Sequence, residues 1–179
     1  MKETIVKNYI TGIIAVLIPV DDNTRLSKKE LISIVTIFNQ PEVGKVLTRN
    51  SDSGKFGINN AKSLIENYRK GYVNKTNYLY LLKKDGNIIA GADLQVSNKN
   101  KVTTGFWQDV NESGYMTNTI RKLIDITRKK GFKTLYSYVE LDNKKAMALL
   151  KRVGFSYKGI VKGKTKKRLR EYKLVIHRS

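Results

Sequence analysis

The sequence contains no cysteine and a single histidine, and each shortage excludes kinds of chemistry. Without cysteine the chain can form no disulfide, has no thiol nucleophile and offers no thiolate to a metal ion. One histidine, His177, leaves no second imidazole for a histidine-based metal site and argues against a Ser-His-Asp triad. We therefore expect no metal site, and we expect His177 to be a surface or strand-end residue.

Long apolar runs and linker-like segments are also absent. The longest apolar run, Ile10 to Val20, is too short to cross a bilayer, and no small-residue cleavage site follows it. Its β-branched residues favour a first buried strand, and therefore a cytoplasmic protein without a membrane partner. No repeat and no Pro/Gly/Ser linker divides the chain. A length of 179 residues with 40% hydrophobic residues suits one domain, residues 1–179.

Acidic residues are scarce, and basic residues are abundant. The formal net charge is +20, from 35 basic and 15 acidic side chains. Residues 101–179 hold 20 of the basic and 6 of the acidic side chains, so the charge is concentrated in the second half. Such an imbalance attracts polyanions by long-range steering and counterion release. The natural partners are a ribosome, tRNA or another nucleic acid, or an acidic protein face; the alternative is a lysine-rich, soluble chain without such a partner.

The stretch from Gly105 to Phe155 indicates a strand, a turn, a helix, a strand and a second helix. A strand from Val102 to Asp109 leads into a polar turn that closes on Gly114. The following helix has apolar residues at i, i+3, i+4 and i+7 and ends in two lysines and a glycine. A turn of this kind leaves free N–H groups that can hold phosphate, here those of Tyr115, Met116 and Thr117. The alternative is an ordinary βαβ crossover with a glycine in its turn.

The remainder of the chain predicts helices first and hairpins later. Ser27 and Glu30 form a capping box for a helix that Pro41 ends, and residues 44–58 read as a loop. A second helix from Asn60 to Lys70 turns Tyr68 inward. Two strands meet at Asp85-Gly86, a tight-turn signal. The tail is a hairpin with arms at 155–161 and 169–176. Its tip and second arm carry a basic run: Lys162, Lys164, Lys166, Lys167, Arg168 and Arg170.

These motifs resemble the GNAT acyl-CoA N-acyltransferases, and most closely the branch with the ribosomal-protein N-terminal acetyltransferases. Gly105-Phe106-Trp107 is similar to the Gly-Tyr-Trp of that branch, and Gly114-Tyr115-Met116-Thr117 is similar to the end of its phosphate turn. Asn143-Lys144-Lys145-Ala146 and Gly154-Phe155 resemble its downstream motifs. Upstream, the segment from Phe38 to Val43 resembles Phe-Asn-Asp-Pro-Glu-Val. The resemblance covers residues from about 30 to the end, and it rests on order and spacing.

The resemblance implies an α+β (or α/β) GNAT fold, a mixed and mostly antiparallel twisted sheet of about seven strands with about four helices. It also implies an enzyme that transfers an acyl group from acetyl-CoA directly to an amine, as a monomer or a homodimer. The thioester carbonyl would meet an N–H near Val110, and Asn143 would orient the CoA arm or a water. Tyr138 and Glu140 are the nearby candidates for proton handling, and each can equally be structural. The implied CoA-binding set is Asp109, Val110, Asn111, Gly114, Tyr115, Met116, Thr117 and Asn143.

Several positions depart from the family pattern. Asn111 replaces the usual Arg or Gln, and Glu112 places a negative charge near the expected pyrophosphate. Ala146 and Leu150 lack the hydroxyls often found at those positions, and the strand at 102–109 has no glutamate base. These departures support a second hypothesis. On that hypothesis the chain is a GNAT-like scaffold without a cofactor, similar to small divergent phage proteins, that binds nucleic acid or serves a structural role.

Overall fold

The computed structural model describes residues 3–47, 55–98, 101–163 and 167–177, which include nine strands and five helices. The strands are β1 Thr4–Lys7, β2 Ile14–Pro19, β3 Asn77–Lys84, β4 Asn87–Asn98, β5 Lys101–Thr103, β6 Phe106–Gln108, β7 Thr134–Glu140, β8 Ser156–Lys162 and β9 Arg168–Val175. The helices are α1 Lys28–Phe38, α2 Pro41–Leu47, α3 Ile58–Val73, α4 Met116–Lys129 and α5 Lys144–Arg152.

All nine strands belong to one mixed sheet. The order is β1-β2-β3-β4-β5-β7-β9-β8, and β6 lies off this path against β4. Among the described strands, only the pair β5–β7 is parallel, which matches a single βαβ crossover through α4. The expected mixed, mostly antiparallel sheet is confirmed. The strand count exceeds the prediction because a strand precedes Ile10 and because one predicted strand is broken in two.

The sequence had predicted one strand for the apolar run from Ile10 to Val20, but the structure divides this run. Its first residues form the turn of a β1–β2 hairpin, and the strand begins at Ile14. Asn8 makes this turn, because its Oδ1 accepts hydrogen bonds from the N–H groups of Ile10 and Thr11. Gly12 supplies a positive φ of 75°. β-Branched composition could not reveal this turn, since the deciding side chain lies outside the run.

The predicted capping box of α1 is present. The hydroxyl of Ser27 accepts from the N–H of Glu30, whose carboxylate accepts from the N–H of Ser27 at 2.7 Å. Pro41 follows α1 but also begins the short helix α2, where the sequence had predicted no helix. Proline suits the first position of a helix, because its missing N–H would have had no partner there.

The helices lie on both faces of the sheet. Helices α1 and α3 pack on β4 and β3, with Ile34, Ile37 and Ile65 in the core on that side. Helix α4 packs on β4 and β1, and its buried Ile120 and Leu123 lie with α5 in the core on the other side. In the described parts of the chain no helix is long and apolar enough to cross a membrane.

The strand predicted from Val102 to Asp109 is broken at Thr104 and Gly105. Thr104 still donates to the carbonyl of Tyr136 on β7 at 2.8 Å. The N–H of Gly105 turns the other way and donates to Oδ1 of Asp93 on β4 at 2.6 Å. Residues after this break pair with β4 and with no other described strand. The hydrogen-bonding pattern that separates the two halves is supplied by distant residues, so the local sequence could not predict it.

Candidate active site

The break at Gly105 opens a gap in the middle of the sheet. Before the break, β5 pairs with β7 at Thr103 and Tyr136. After it, β6 stays with β4, whereas β7 continues to Glu140 paired only with β9 among the described strands. Strands β6 and β7 therefore diverge from a common point. Trp107 lies closely over Gly91 on β4, where a Cβ would collide with its ring. The open edges of β6 and β7 can hold an extended ligand between them.

The turn after β6 leads from this gap into helix α4. Gly114 has φ +95°, and a Cβ at this position would overlap with Oδ1 of Asn8. The β1–β2 hairpin braces the turn through Nδ2 of Asn8, which donates to the carbonyl of Ser113 at 2.8 Å. The N–H of Tyr9 donates to the carbonyl of Gly114 at 2.8 Å. Only glycine fits here, because the position combines left-handed backbone with close contact from another element.

The N–H groups at the start of α4 and in the two residues before it lack intramolecular acceptors among the described residues. Within the part of the chain that the structure describes, those of Gly114, Tyr115, Met116 and Thr117 donate to no acceptor. Tyr115, Met116 and Thr117 are buried as whole residues, whereas Gly114 is half-buried. N–H groups at a helix N-terminus attract phosphate through their partial positive charge.

Glu112, the acidic residue of the turn, is paired with Lys84 of β3. The Nζ atom of Lys84 lies 2.6 and 2.7 Å from the two carboxylate oxygens. This hydrogen bond raises the pKa of Lys84 despite an opposing effect of desolvation. Glu112 and Asp109 also line a cavity of about 550 Å³ between α1 and β4. The negative charge that the sequence placed in the turn is therefore balanced by a neighbouring cation.

The beginning of the turn is held by an amide and a carboxylate. Oδ1 of Asp109 accepts from the N–H of Asn111 at 2.9 Å and from Nε2 of Gln40 at 2.9 Å. The N–H of Val110 donates to Oε1 of Gln40 at 3.1 Å. Gln40, between α1 and α2, thus connects the helices of one face to the turn. The N–H that the sequence assigned to a thioester carbonyl, that of Val110, has a side-chain partner in this structure.

Two arginines stand beside the free N–H groups. Arg152 of α5 donates from Nη1 to Oγ1 of Thr117 at 3.1 Å. The guanidinium carbons of Arg121 and Arg152 lie 5.5 and 5.7 Å from the centre of the Tyr9 ring. Both arginines are exposed. An anion on the N-terminus of α4 would therefore meet guanidinium groups as well as backbone donors.

Tyr138 and Glu140 lie on β7 beyond the point where the sheet opens. Register places them on the face of α1 and α3, in line with Thr103 of β5. Burial raises the pKa of Tyr138, as does Glu171, whereas a hydrogen bond with Lys101 lowers it. The net direction is upward, so Tyr138 is a protonated phenol at neutral pH and can donate a proton. Glu140 accepts from Nζ of Lys167 at 2.5 Å.

One family of known proteins matches most of this chain. The family described as an acetyltransferase (GNAT) domain has a model that matches residues 25–176. This chain belongs to the GNAT acetyltransferase family. The resemblance inferred from the sequence is therefore confirmed, and so is the prediction of an acyltransferase. A comparison of the sequence with curated proteins finds no match.

Several solved acetyltransferase structures are similar to this one at low sequence identity. The microcin self-immunity acetyltransferase MccE, in complex with acetyl-CoA and AMP, is 21% identical with a TM-score of 0.73, over 90% of this chain and 92% of that one. A Salmonella typhimurium acetyltransferase that modifies the N-terminal serine of a 50S ribosomal subunit protein is 13% identical with a TM-score of 0.72, over 97% and 100%. Mycobacterium smegmatis RimJ, in complex with CoA-disulfide, is 11% identical with a TM-score of 0.73, over 97% and 86%. The predicted co-substrate, acetyl-CoA, agrees with the family and with the ligands named in these structures.

Asn143, predicted from the GNAT motif, caps helix α5. Its Oδ1 accepts from the N–H of Ala146 at 3.0 Å. Asn143 lies three residues after Glu140, the last residue of β7, so both residues are near the junction between β7 and α5. The cap explains the asparagine structurally, and a role toward CoA stays a prediction.

The basic residues of the tail are divided between exposed and paired positions. Lys162 and Arg168 are exposed and lie opposite each other on β8 and β9. Arg170 is half-buried, with its guanidinium 5.6 Å from the ring of Tyr157, and Lys167 is paired with Glu140. Lys164 and Lys166 lie outside the described residues. A second basic surface, on the outer side of α4 and α5, consists of exposed Arg121, Lys122, Lys129, Lys144, Lys145, Lys151 and Arg152.

Sequence reasoning missed Asp93, a buried carboxylate beside the opening of the sheet. Asp93 is 6% exposed and accepts from the N–H of Gly105, from Nε2 of Gln95 and from the hydroxyl of Tyr68. An aspartate inside an apolar strand is a signal in the sequence, because acidic residues are rarely buried without partners. Its partners come from α3 and from the strand break, which only the fold brings together.

Proposed function

We propose that residues 1–179 act as one acetyl-CoA-dependent N-acetyltransferase domain, with an acceptor amine displayed by a polyanion-associated substrate. The observation that carries this proposal is the gap between β6 and β7, which leads directly to the unpaired N–H groups of Gly114 to Thr117. An extended pantetheine arm fits the open strand edges, and a pyrophosphate fits the helix N-terminus. Membership of the GNAT family supports the same ligand.

The chain's own residues can prepare the site for this ligand. Gly114 gives the turn its left-handed backbone and its close contact with Asn8, and Arg152 adds a cation next to Thr117. Lys84 neutralises Glu112 and so removes a repulsive charge from the turn. Asp109 and Asn111 keep the start of the turn in place through the Asp109 carboxylate. The N–H of Val110 can donate to a thioester carbonyl only if its hydrogen bond to Oε1 of Gln40 breaks.

Acyl transfer needs a proton donor for the departing thiolate, and Tyr138 suits that task. It lies on β7 beyond the opening of the sheet, and a tyrosine phenol is protonated at neutral pH. The Tyr138→Phe variant should lower kcat about 100-fold while the KM for acetyl-CoA stays within about threefold. Glu140 and Asn143 would then orient groups and not transfer protons. A kcat of Tyr138→Phe equal to that of the unchanged protein would exclude Tyr138 as the acid.

The class of acceptor follows from charge. Helices α4 and α5 present seven exposed basic residues, with Asp125 as the acidic residue of these two helices. Such a surface favours a substrate attached to nucleic acid, namely a ribosomal protein, an aminoacyl-tRNA or a nucleic-acid amine. One similar enzyme modifies a ribosomal protein, and another was solved with AMP. These acceptors, acetyl-CoA and ribosomes all occur in the cytoplasm, which is the location we propose.

Binding is tested first by a thermal shift with acetyl-CoA and with CoA at low and moderate salt. A ligand that binds only the folded state at about 100 times its Kd adds about 2.7 kcal/mol to the free energy of unfolding. Transfer is then measured with radiolabelled acetyl-CoA and three acceptors: purified ribosomes, total aminoacyl-tRNA and a peptide with a free N-terminal serine. Label on one of these identifies the acceptor class.

The second candidate is a GNAT scaffold that binds nucleic acid without a cofactor. The observation that favours it is the departure at Asn111 and Glu112 together with the basic outer surface of α4 and α5. This candidate requires no change in melting temperature at millimolar CoA and strongly salt-dependent binding of RNA or DNA. The acetyltransferase proposal requires the opposite result with CoA. The two are therefore separated by the same thermal-shift experiment.

A further inference from the structure

Asp93 and Tyr68 form a buried pair that the steps described so far do not use. Tyr68, on α3, is half-buried and donates its hydroxyl hydrogen to Oδ2 of Asp93. The other acceptor positions of Asp93 are taken by Gln95 and by the N–H of Gly105. In the described residues no lysine or arginine pairs with this carboxylate. A buried carboxylate without a cation is costly unless its site can also accommodate the protonated form.

The pair lies at the point where the sheet opens. Asp93 on β4 pairs with Leu79 on β3. It accepts a hydrogen bond from Gly105, which lies between β5 and β6, where the chain turns away from β7. Alternation along β4 and its registers with β5 and β6 place Asp93 on the same face as Trp107 and Thr103. The register of β5 with β7 places Tyr138 on that face as well. An amine that attacks a thioester in the gap from this side would approach Tyr68.

The chemistry needs a proton acceptor at this point. A primary amine is mostly an ammonium ion at neutral pH, and only its neutral form is a nucleophile. Strand β6 consists of Phe106, Trp107 and Gln108, so it supplies no carboxylate. Glu140 is already engaged by Lys167, whose Nζ lies 2.5 Å from its carboxylate. For Asp93, burial raises the pKa of the carboxyl and outweighs the lowering effect of its hydrogen bonds.

We propose that Tyr68 contacts the acceptor amine and relays its proton to Asp93. The ammonium donates to the oxygen of Tyr68 while Tyr68 passes its own hydrogen to Oδ2 of Asp93. The products are a neutral amine, an unchanged phenol and a neutral carboxylic acid. The amine then attacks the thioester carbon, and the C–S bond breaks as the thiolate takes a proton from Tyr138. The nitrogen gives up its second proton as the amide forms, and this proton restores the phenol of Tyr138. Asp93 later loses its proton to solvent through the same phenol. This inference rests on the proposed acetyltransferase function.

The groups that face Asp93 decide how the pair should respond to pH. They are the Tyr68 hydroxyl from α3, the Gln95 amide on β4 itself and the Gly105 N–H from the strand break. Burial, followed by the nearby Asp93 charge, raises the pKa of Tyr68, so the phenol stays protonated and serves only as a relay. Loss of activity on the acid side should therefore follow the protonation of Asp93.

The test measures kcat/KM against pH for the unchanged protein, Tyr68→Phe, Asp93→Asn and the control Tyr72→Phe. Tyr72 is one turn further along α3, and its ring packs against Tyr78. The acceptor is whichever of the serine peptide, aminoacyl-tRNA or ribosomes the unchanged protein acetylates fastest. Tyr68→Phe should lose about 100-fold in kcat/KM, with acetyl-CoA affinity within threefold. Asp93→Asn should lose a similar amount at pH 7 and recover at about pH 9, where an α-amino group is already neutral.

Recovery at high pH separates proton transfer from structure, because a damaged fold would not be repaired by deprotonating the substrate. The Tyr68→Phe variant keeps the ring and its packing, so it remains informative if Asp93→Asn unfolds. Tyr68→Phe within threefold of the unchanged protein, or a protein that binds acetyl-CoA and acetylates none of the three probes, would overturn this assignment. Absence of acetyl-CoA binding by the unchanged protein would instead remove the proposed function and this inference with it.

Discussion

Lys84 on β3 and Glu112 in the turn before α4 form a close ion pair, with Nζ 2.6 and 2.7 Å from the two carboxylate oxygens. The two residues are 28 positions apart, and each side chain is about three-quarters buried. In the family pattern a small residue often occupies the position of Glu112. This pair allows the chain to keep an acidic side chain in a turn that we expect to face pyrophosphate.

Removal of Lys84 should therefore weaken CoA binding. In Lys84→Ala the carboxylate of Glu112 loses its cation and repels the phosphates, and we expect the Kd for CoA to rise about tenfold. The double variant Lys84→Ala with Glu112→Gln should return to within about threefold of the unchanged protein. Calorimetric titration with CoA measures all four corners of this cycle. Equal Kd values for the unchanged protein and Lys84→Ala would show that Glu112 does not face the phosphates.

Gly114 should tolerate no side chain, and Gly131 provides a matched control. Both have positive φ, +95° and +81°, so alanine costs about 1–2 kcal/mol of stability at either position. Only at Gly114 would the new Cβ also meet Asn8, since nothing lies near Gly131. We expect Gly114→Ala to be the less stable variant in urea and to lose CoA binding, whereas Gly131→Ala keeps it. Similar CoA affinity in both variants would contradict a phosphate-binding role for this turn.

Arg152 should contribute to binding of the nucleotide end of CoA. Its guanidinium bonds to Thr117 and stands beside Tyr9, while the neighbouring Lys151 is exposed without a described contact of this kind. Arg152→Gln should raise the Kd for CoA about tenfold, and Lys151→Gln should change it less than threefold. Acetyl-pantetheine lacks the nucleotide and serves as the second ligand. An equal loss for both ligands would indicate a structural effect of Arg152.

The two basic surfaces can be compared by the salt dependence of RNA binding. One variant replaces Lys122, Lys129 and Lys145 of α4 and α5 with glutamine; the other replaces Lys162, Arg168 and Arg170 of the tail hairpin. Each phosphate contact that is lost should reduce the slope of log K against log salt by about 0.7–0.9. We expect the α4–α5 variant to show the larger reduction, because its three lysines are all exposed, whereas Arg170 of the tail is half-buried against Tyr157. A slope near zero for the unchanged protein would remove the polyanion hypothesis.

The ion pair between Glu30 and Lys83 should make the stability of the fold depend on pH in the acidic range. Burial alone would raise the pKa of Glu30, but hydrogen bonds from Lys83 and Ser27 outweigh it and lower the pKa below 4.5. A carboxylate with a lowered pKa in the folded state adds stability above its ordinary pKa and loses it as pH falls through the lowered value. Lys83→Met should therefore be clearly destabilising at pH 7 and less so near pH 3, measured by urea unfolding. A loss that is the same at both pH values would show that the ion pair contributes nothing.

Part of the candidate site was predictable from the sequence. The order Gly105-Phe106-Trp107, Gly114-Tyr115-Met116-Thr117 and Asn143 placed the turn, the helix N-terminus and the α5 cap where the structure has them. The tight turn at Asp85-Gly86 is also present, with φ of 50° and 76°. Such features depend on residues within a few positions of one another, so local periodicity and turn chemistry are enough to predict them.

The other part of the site depends on contacts between distant residues. Asn8 reaches Ser113, Lys84 reaches Glu112, Gln40 reaches Val110 and Asp93 reaches Gly105, and no local pattern encodes any of these pairs. The sequence by itself determined the strand–turn–helix unit, the family and the excess of positive charge. The tertiary structure alone decided where the sheet opens, how the acidic turn is neutralised and which buried carboxylate lies beside the opening. The physical reason is that hydrogen bonds and ion pairs act over a few ångströms in space, whatever the separation of their partners along the chain.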